Sequence, residues 1–274
     1  MGGWCGCCSY CRALGLSRQA SVILAVCGLS LARSDEVPPW EMVSVAVRFM
    51  TVNLPIKLRV VLSVLAVLSG GAVVGTGEVL FRDDLKNTLG PGWSWVRENP
   101  ESWRVTESGL EVRVEPGNMW GPANNARNLL ICNAPIPDAS EIEGSVRVEN
   151  RPSAQYEQVD LVWYYDDSHM VKLGQELVDG QLSIVMGREE RDRTRTIAII
   201  PLRSFSVKLR LSVRGDRIQG HFQLPDSEDW IKAGECDLPV KGQPRISLQF
   251  YQGATADAHW ARATEFRIIR RAGE

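Results

Sequence analysis

The chain has 274 residues, 44% of them apolar and 23% charged, with a formal net charge of −2. That length holds one large β domain or two ordinary ones, and the composition is that of a soluble globular protein. The near-neutral charge offers no basic patch for nucleic acid, and nine Trp leave a ring-lined binding surface and a Trp-rich core equally open.

The first 27 residues hold five of the seven cysteines, four of them in "CGCCSYC" (5–11), and this cluster lacks the second, spaced ligand pair of a zinc module. Residues 42–77 contain no Asp or Glu; Lys57 and Arg59 precede an apolar run from Val60 to Val74 that ends in small residues near Gly75 and Gly77. A charged start, apolar middle and small-residue exit is the layout of a secretory signal, and the run is short for a stable membrane span. Residues 18–32 have a similar layout, so we expect translation to begin at Met50, or at Met42, with 1–49 an over-extended or disordered N-terminus and 50–77 the leader. The expected protein is then secreted or extracytoplasmic, meeting a membrane only transiently through that leader. The first 77 residues are more basic than acidic, so the body is more acidic than the whole chain, which disfavours polyanionic partners.

From residue 78 to 270, period-two alternation dominates. Ile142, Val146 and Val148 alternate in one run, Leu182, Ile184 and Met186 in the next. "FSVKLRLSVRG" (205–215) sets Phe205, Val207, Leu209, Leu211 and Val213 against Ser206, Lys208, Arg210 and Ser212. Its expected partner, with Ile218, Phe222 and Leu224 inward, follows the "RGDR" turn; a hairpin tip accounts for this tripeptide better than adhesion does. Ile246, Leu248 and Phe250, then Phe266 and Ile268, complete the series before a short tail at 271–274. "ENRPS", "YYDDSH", "LVDGQ" and "GREERDR" supply turns at short intervals, so the expected fold is all-β, a two-sheet antiparallel sandwich. Cys132 and Cys236 permit one disulfide that sequence alone leaves undecided.

Four ordered runs carry a resemblance: "LFRDDLKNTLGPGWSWVRENPESWRVTESGLEVRV", "NMWGPANNARNLL", "YEQVDLVWYYDDSHMVKLGQELVDG" and "LSIVMGRE". Over residues 79–269 they resemble the uncharacterised domain family related to the fungal regulation-of-enolase protein, within the concanavalin A-like lectin/glucanase superfamily. They are also similar to the C-terminal sandwich of certain β-xylosidases. The resemblance implies a concanavalin A-like jelly roll and leaves activity open, since fold does not fix function.

Local chemistry is sparse. Glucanases of that superfamily carry an E-x-D-x-x-E strand, and the nearest run here, with Glu141, Glu143 and then only Glu149, reads better as a solvated edge. His169, His221 and His259 form no metal motif, and no catalytic residue or resident cofactor is expected. A structural calcium at Asp83 and Asp84 is the one metal site the resemblance raises, and two neighbouring aspartates do not define it.

Along "QVDLVWYYD", Val159, Leu161, Trp163 and Tyr165 share one face and Gln158, Asp160, Val162 and Tyr164 the other. With the apolar set inward, Gln158, Asp160, Tyr164, Lys172 and Glu176 face out, and Trp120 from the Asn-rich loop can hang over them. One ring among hydrogen-bonding groups suits an oligo- or polysaccharide, while an ordinary polar ladder with Trp120 as an end plug explains the same residues. A one-residue bulge would exchange the two faces. The expected function is a secreted, non-catalytic, lectin-like module; a glycan hydrolase with a non-standard site and a cell-surface protein-interaction domain are the alternatives.

Overall fold

The computed structural model describes residues 77–138, 141–256 and 259–271, so the expectations for the leader and for residues 1–76 lie outside the described residues. Fifteen strands follow in order: β1 (Glu78–Asp83), β2 (Trp93–Val96), β3 (Trp103–Thr106), β4 (Gly109–Arg113), β5 (Leu129–Cys132), β6 (Glu141–Glu149) and β7 (Gln158–Asp166). Then come β8 (His169–Val178), β9 (Gln181–Glu190), β10 (Arg193–Pro201), β11 (Ser206–Arg214), β12 (Arg217–Gln223), β13 (Ile231–Asp237), β14 (Arg245–Tyr251) and β15 (Trp260–Arg271). One sheet has eight strands, ordered β13-β12-β11-β6-β15-β4-β3 with β1 also on β15; the other has seven, ordered β10-β9-β8-β7-β14-β5-β2.

The alternation dictates the packing. Val146, Val148, Leu209, Leu211, Phe266 and Ile268 meet Leu161, Trp163, Leu173, Ile184, Leu248 and Phe250 in one core between the sheets. Two-residue loops set the registers. Arg214 pairs with Arg217 across Gly215-Asp216, so the "RGDR" stretch is a hairpin tip. Val178 pairs with Gln181, and both intervening residues, Asp179 and Gly180, have positive φ (50° and 76°), the backbone that a twisted hairpin favours. Glu190 pairs with Arg193 across Arg191 and Asp192, which adopt the same left-handed conformation. The irregularity in the β7–β8 ladder falls after Tyr164, so the faces of β7 are not exchanged.

Cys132 and Cys236 are both buried free thiols, each pushed up to about 11 by burial. Asp83 is absorbed by the chain itself: Oδ1 accepts from the Leu85 amide (2.7 Å), and Oδ2 from the Gly90 amide and the Trp93 indole (2.9 Å each). Asp84 pairs with Arg82 at 3.2 Å. Among the described residues no group of three or more His, Cys, Asp or Glu stands where it could hold a metal ion. Glu143 and Glu141 lie on the outer face of the eight-stranded sheet, paired with Arg271 (2.7 Å) and Arg214 (3.0 Å).

Candidate functional site

On the outer face of the seven-stranded sheet the side chains stand in cross-strand rows. Tyr251, Gln158, Glu176 and Ser183 form one row; Gln249, Asp160, Gly174 and Val185 the next; Ser247, Val162, Lys172 and Gly187 the third. The inward and outward sets of β7 are those its alternation predicts, since Val159, Leu161, Trp163 and Tyr165 all join the inter-sheet core.

The outward face is not open to water. The segment between β4 and β5 folds over it, and Met119 and Ala126 pack with Leu129, Ile131, Val162, Tyr164, Met170 and Tyr251 in a second, smaller core. Arg97 fastens this roof: its Nε donates to the Ala126 carbonyl (2.6 Å) and its guanidinium pairs with Asp167 (2.6 Å). Glu115 adds a second fastening, accepting from Asn99 Nδ2 (2.9 Å) and Ser102 Oγ (3.1 Å).

Under the roof, a cavity of about 500 Å³ remains at the Gln158–Glu176 end of the face. Trp120, Gln158, Lys172 and Glu176, four of the six residues singled out from sequence, line it together. The Lys172 ammonium pairs with Glu176 Oε2 (2.9 Å), donates to Gln158 Oε1, and lies 4.8 Å from the centre of the Trp120 ring. Gln158 Nε2 in turn donates to the Tyr156 carbonyl (2.8 Å) and Gln252 Oε1 (3.0 Å), which holds its amide in one orientation. Trp120 is placed by two devices. Its backbone is tied to the Asn118 side chain, and its ring lies where a Cβ on residue 187 would be, 2.5 Å from Cη2, so Gly187 makes the seat.

The other two residues are elsewhere. Tyr164 does not reach the cavity: it is buried at the far end of β7 in the second core, its hydroxyl donating to Asp167 Oδ1 (2.7 Å) and Arg245 stacked 5.2 Å from its ring. It props the roof, because Asp167 is the residue that Arg97 grips. Asp160 sits beneath the cavity floor, fully buried; a Cβ on Gly174 would land on its carboxylate. Burial pushes the Asp160 carboxyl up to about 7 against the pull of Lys172, and Glu176 adds to the push. The Tyr251 phenol lowers it somewhat yet falls outside ordinary hydrogen-bond geometry, and among the described residues neither carboxylate oxygen has a partner.

Glu189, on β9, completes the electrostatics. It is fully buried, and burial pushes it up to about 7 while the Gly121 amide, donating at 3.0 Å, pulls it down. Tyr251 is raised well above the usual phenol range by burial and then by Asp160, Glu176 and Glu189. Neither Glu189 nor Tyr251 was singled out from sequence. Both were readable in principle, by carrying the alternation through "LSIVMGRE" to Glu189 and through "QFY" to Tyr251. Chemically, the site offers an aromatic wall, directional donors and acceptors on a rigid floor, and carboxylates in excess of the one ammonium.

Residues 82–256 match the family described as the β-xylosidase C-terminal concanavalin A-like domain. The chain belongs to this family. Among solved structures, the concanavalin A-like sandwich is similar to part of the GH43 protein BlXynB from Bacillus licheniformis, at 17% identity and a TM-score of 0.59, over 69% of this chain and 39% of that one. A bifunctional GH43-CE protein from Bacteroides eggerthii aligns at 18% identity and a TM-score of 0.60, over 75% of this chain and 27% of its own. A functionally unknown protein from Saccharomyces cerevisiae aligns at 15% identity and a TM-score of 0.53, over 66% of this chain and 98% of its own. At such identities the likeness is one of fold, and this chain spans about two fifths of the Bacillus protein. No curated protein sequence matches the chain. The resemblance to the xylosidase C-terminal sandwich, read from four sequence runs, is borne out.

Proposed function

We propose that this concanavalin A-like domain is a secreted, non-catalytic carbohydrate-binding module whose ligand enters the cavity beside Trp120. The observation that carries the reading is the cavity itself: about 500 Å³, lined by the Trp120 indole together with Gln158, Lys172 and Glu176. A pyranose presents an apolar C–H face and a rim of hydroxyls, and that pairing of ring and fixed polar groups complements both. Membership of the β-xylosidase C-terminal domain family supports the reading, since the enzyme that the family is named for is a glycosidase.

Catalysis finds little support in the same geometry, because Asp160, with a carboxyl raised into the range of a general acid, has no surface exposed to a substrate. Export follows the expectation from Val60 to Val74, and recovery of the chain from culture medium with a shortened N-terminus tests that part. The main test is a glycan array probed with the full chain and with Trp120→Ala. Binding that is abolished in the variant, with an unchanged circular dichroism spectrum, supports the module. Absence of binding to any glycan sinks it, and release of sugar from oligosaccharides replaces it with a hydrolase.

A further inference from the structure

The charge around the cavity is lopsided. Among the described residues Lys172 is the one cation on its lining, and it is already paired with Glu176. Asp179 stands on the same lining as a second acid, held by Gln155 at 3.1 Å. Directly behind the floor is Asp160, and beyond Gly187 and the Trp120 ring seated on it, in the row of Tyr164 and Met170, is Glu189; both carboxylates are fully buried. Asp160 faces Lys172 and Glu176 of β8 and Tyr251 of β14; Glu189 faces Lys172 and the Gly121 amide, with Asp167 and Asp192 nearby. Three carboxylate oxygens of this pair, and Gln249 Oε1 beside Asp160, accept no hydrogen bond from the described residues. Carboxylates that are buried and unpartnered hold a standing demand for a proton or for positive charge close by.

From this excess of acceptors around one neutralised lysine we propose that the cavity selects glycans bearing free, protonated amino groups, that is, oligomers of de-N-acetylated hexosamine, over neutral and acidic ones. The inference rests on the carbohydrate-binding reading and assigns its ligand class. An ammonium in the cavity meets Glu176 and Asp179 directly, is drawn by Asp160 and Glu189 through a shielded medium, and can lie over the rings of Trp120 and Tyr156. A hydroxyl at the same position gains only a hydrogen bond. A uronate is repelled by the same four carboxylates.

The test is calorimetric titration of the full chain at pH 7 with four β-1,4-linked or α-1,4-linked tetramers: glucosamine, glucose, N-acetylglucosamine and galacturonate. The glucosamine tetramer binds on the order of tenfold tighter than the glucose tetramer, which differs from it at carbon 2 alone, and the galacturonate tetramer binds weakest. Repeating the titration in buffers of different ionisation enthalpy gives an independent readout. At about pH 5.5, where the sugar amine is already protonated and takes up nothing further, the amino oligomer releases protons on binding, as Asp160 and Glu189 are drawn to their ionised forms, and the neutral one releases none. In Asp160→Asn, and separately in Glu189→Gln should the first fail to fold, the advantage of the amino oligomer shrinks toward parity. Equal or tighter binding of the glucose tetramer overturns the proposal and leaves the carbohydrate reading standing. No binding by any tetramer or any glycan on the array overturns both.

Discussion

Arg104, Glu111, Arg262 and Glu149 form a cross-strand row on the outer face of the eight-stranded sheet, where all but Glu111 keep 38–56% of their side-chain surface in water. The matching row on the seven-stranded sheet, Tyr251, Gln158, Glu176 and Ser183, is sealed, each whole residue exposing 7% or less. Both rows obey one alternating rule, in which every second residue turns away from the shared core. They differ in what happened next, since the segment between β4 and β5 lies over one face and, among the described residues, no such roof covers the other. Ion pairs that stay in water contribute little, typically about 0–1 kcal/mol each. The same groups sealed away must satisfy one another, and each becomes difficult to replace.

The largest way to break the contrast is Gly174→Ala. A methyl group there collides with the Asp160 carboxylate and the Val159 carbonyl, neither of which can retreat within a paired strand. We expect a loss of at least about 3 kcal/mol in urea unfolding, and a loss under about 1 kcal/mol would mean that the roofed face is looser than described. Lys172→Ala comes next. It strands Glu176 in a nearly dry site, with a loss of about 3–5 kcal/mol expected by the same measurement.

A pH series sharpens the comparison further. Asp160 and Glu189 titrate near 4 in the unfolded chain and at about 7 when folded. Between those values the folded state holds more protons, so stability falls as pH rises from about 4 to about 7 and levels off above it. The two groups together set a fall on the order of a few kcal/mol, which thermal unfolding across that window would detect. Asp160→Asn should flatten the slope, and an unchanged slope would remove Asp160 as its source. The smallest effect belongs to the open face: Lys208→Ala, which gives up a 3.4 Å pairing with Glu265, should change stability by less than about 1 kcal/mol.

Much of this was legible before any coordinates. The "RGDR" reversal, the inward set of β7 and the core-facing residues of β11 and β15 follow from side chains alternating along extended backbone. Four of the six candidate site residues do meet around one cavity, because Gln158, Lys172 and Glu176 lie on adjacent strands whose register one short turn imposes. Tyr164 misled because alternation places it on the correct face but says nothing about position along that face; Asp167 and Arg97 claim it at the other end. Asp160 misled differently. Its direction was right, but Gly174 and the roof shield it, so it acts on the cavity through its charge and not by touch.

By itself, the sequence determined the sandwich, the membership of its family and the side of the sheet on which each residue of β7 and β8 stands. These follow from local periodicity and turn chemistry, which each stretch carries without reference to the rest. Only the tertiary structure decided that one of the two outward faces is covered, that a cavity survives at one end of it, and that carboxylates from β7 and β9 converge on a lysine from β8. The reason is that a roof held by Arg97, Asp167 and Glu115 depends on contacts between segments far apart in the chain, and no period within a single strand records them.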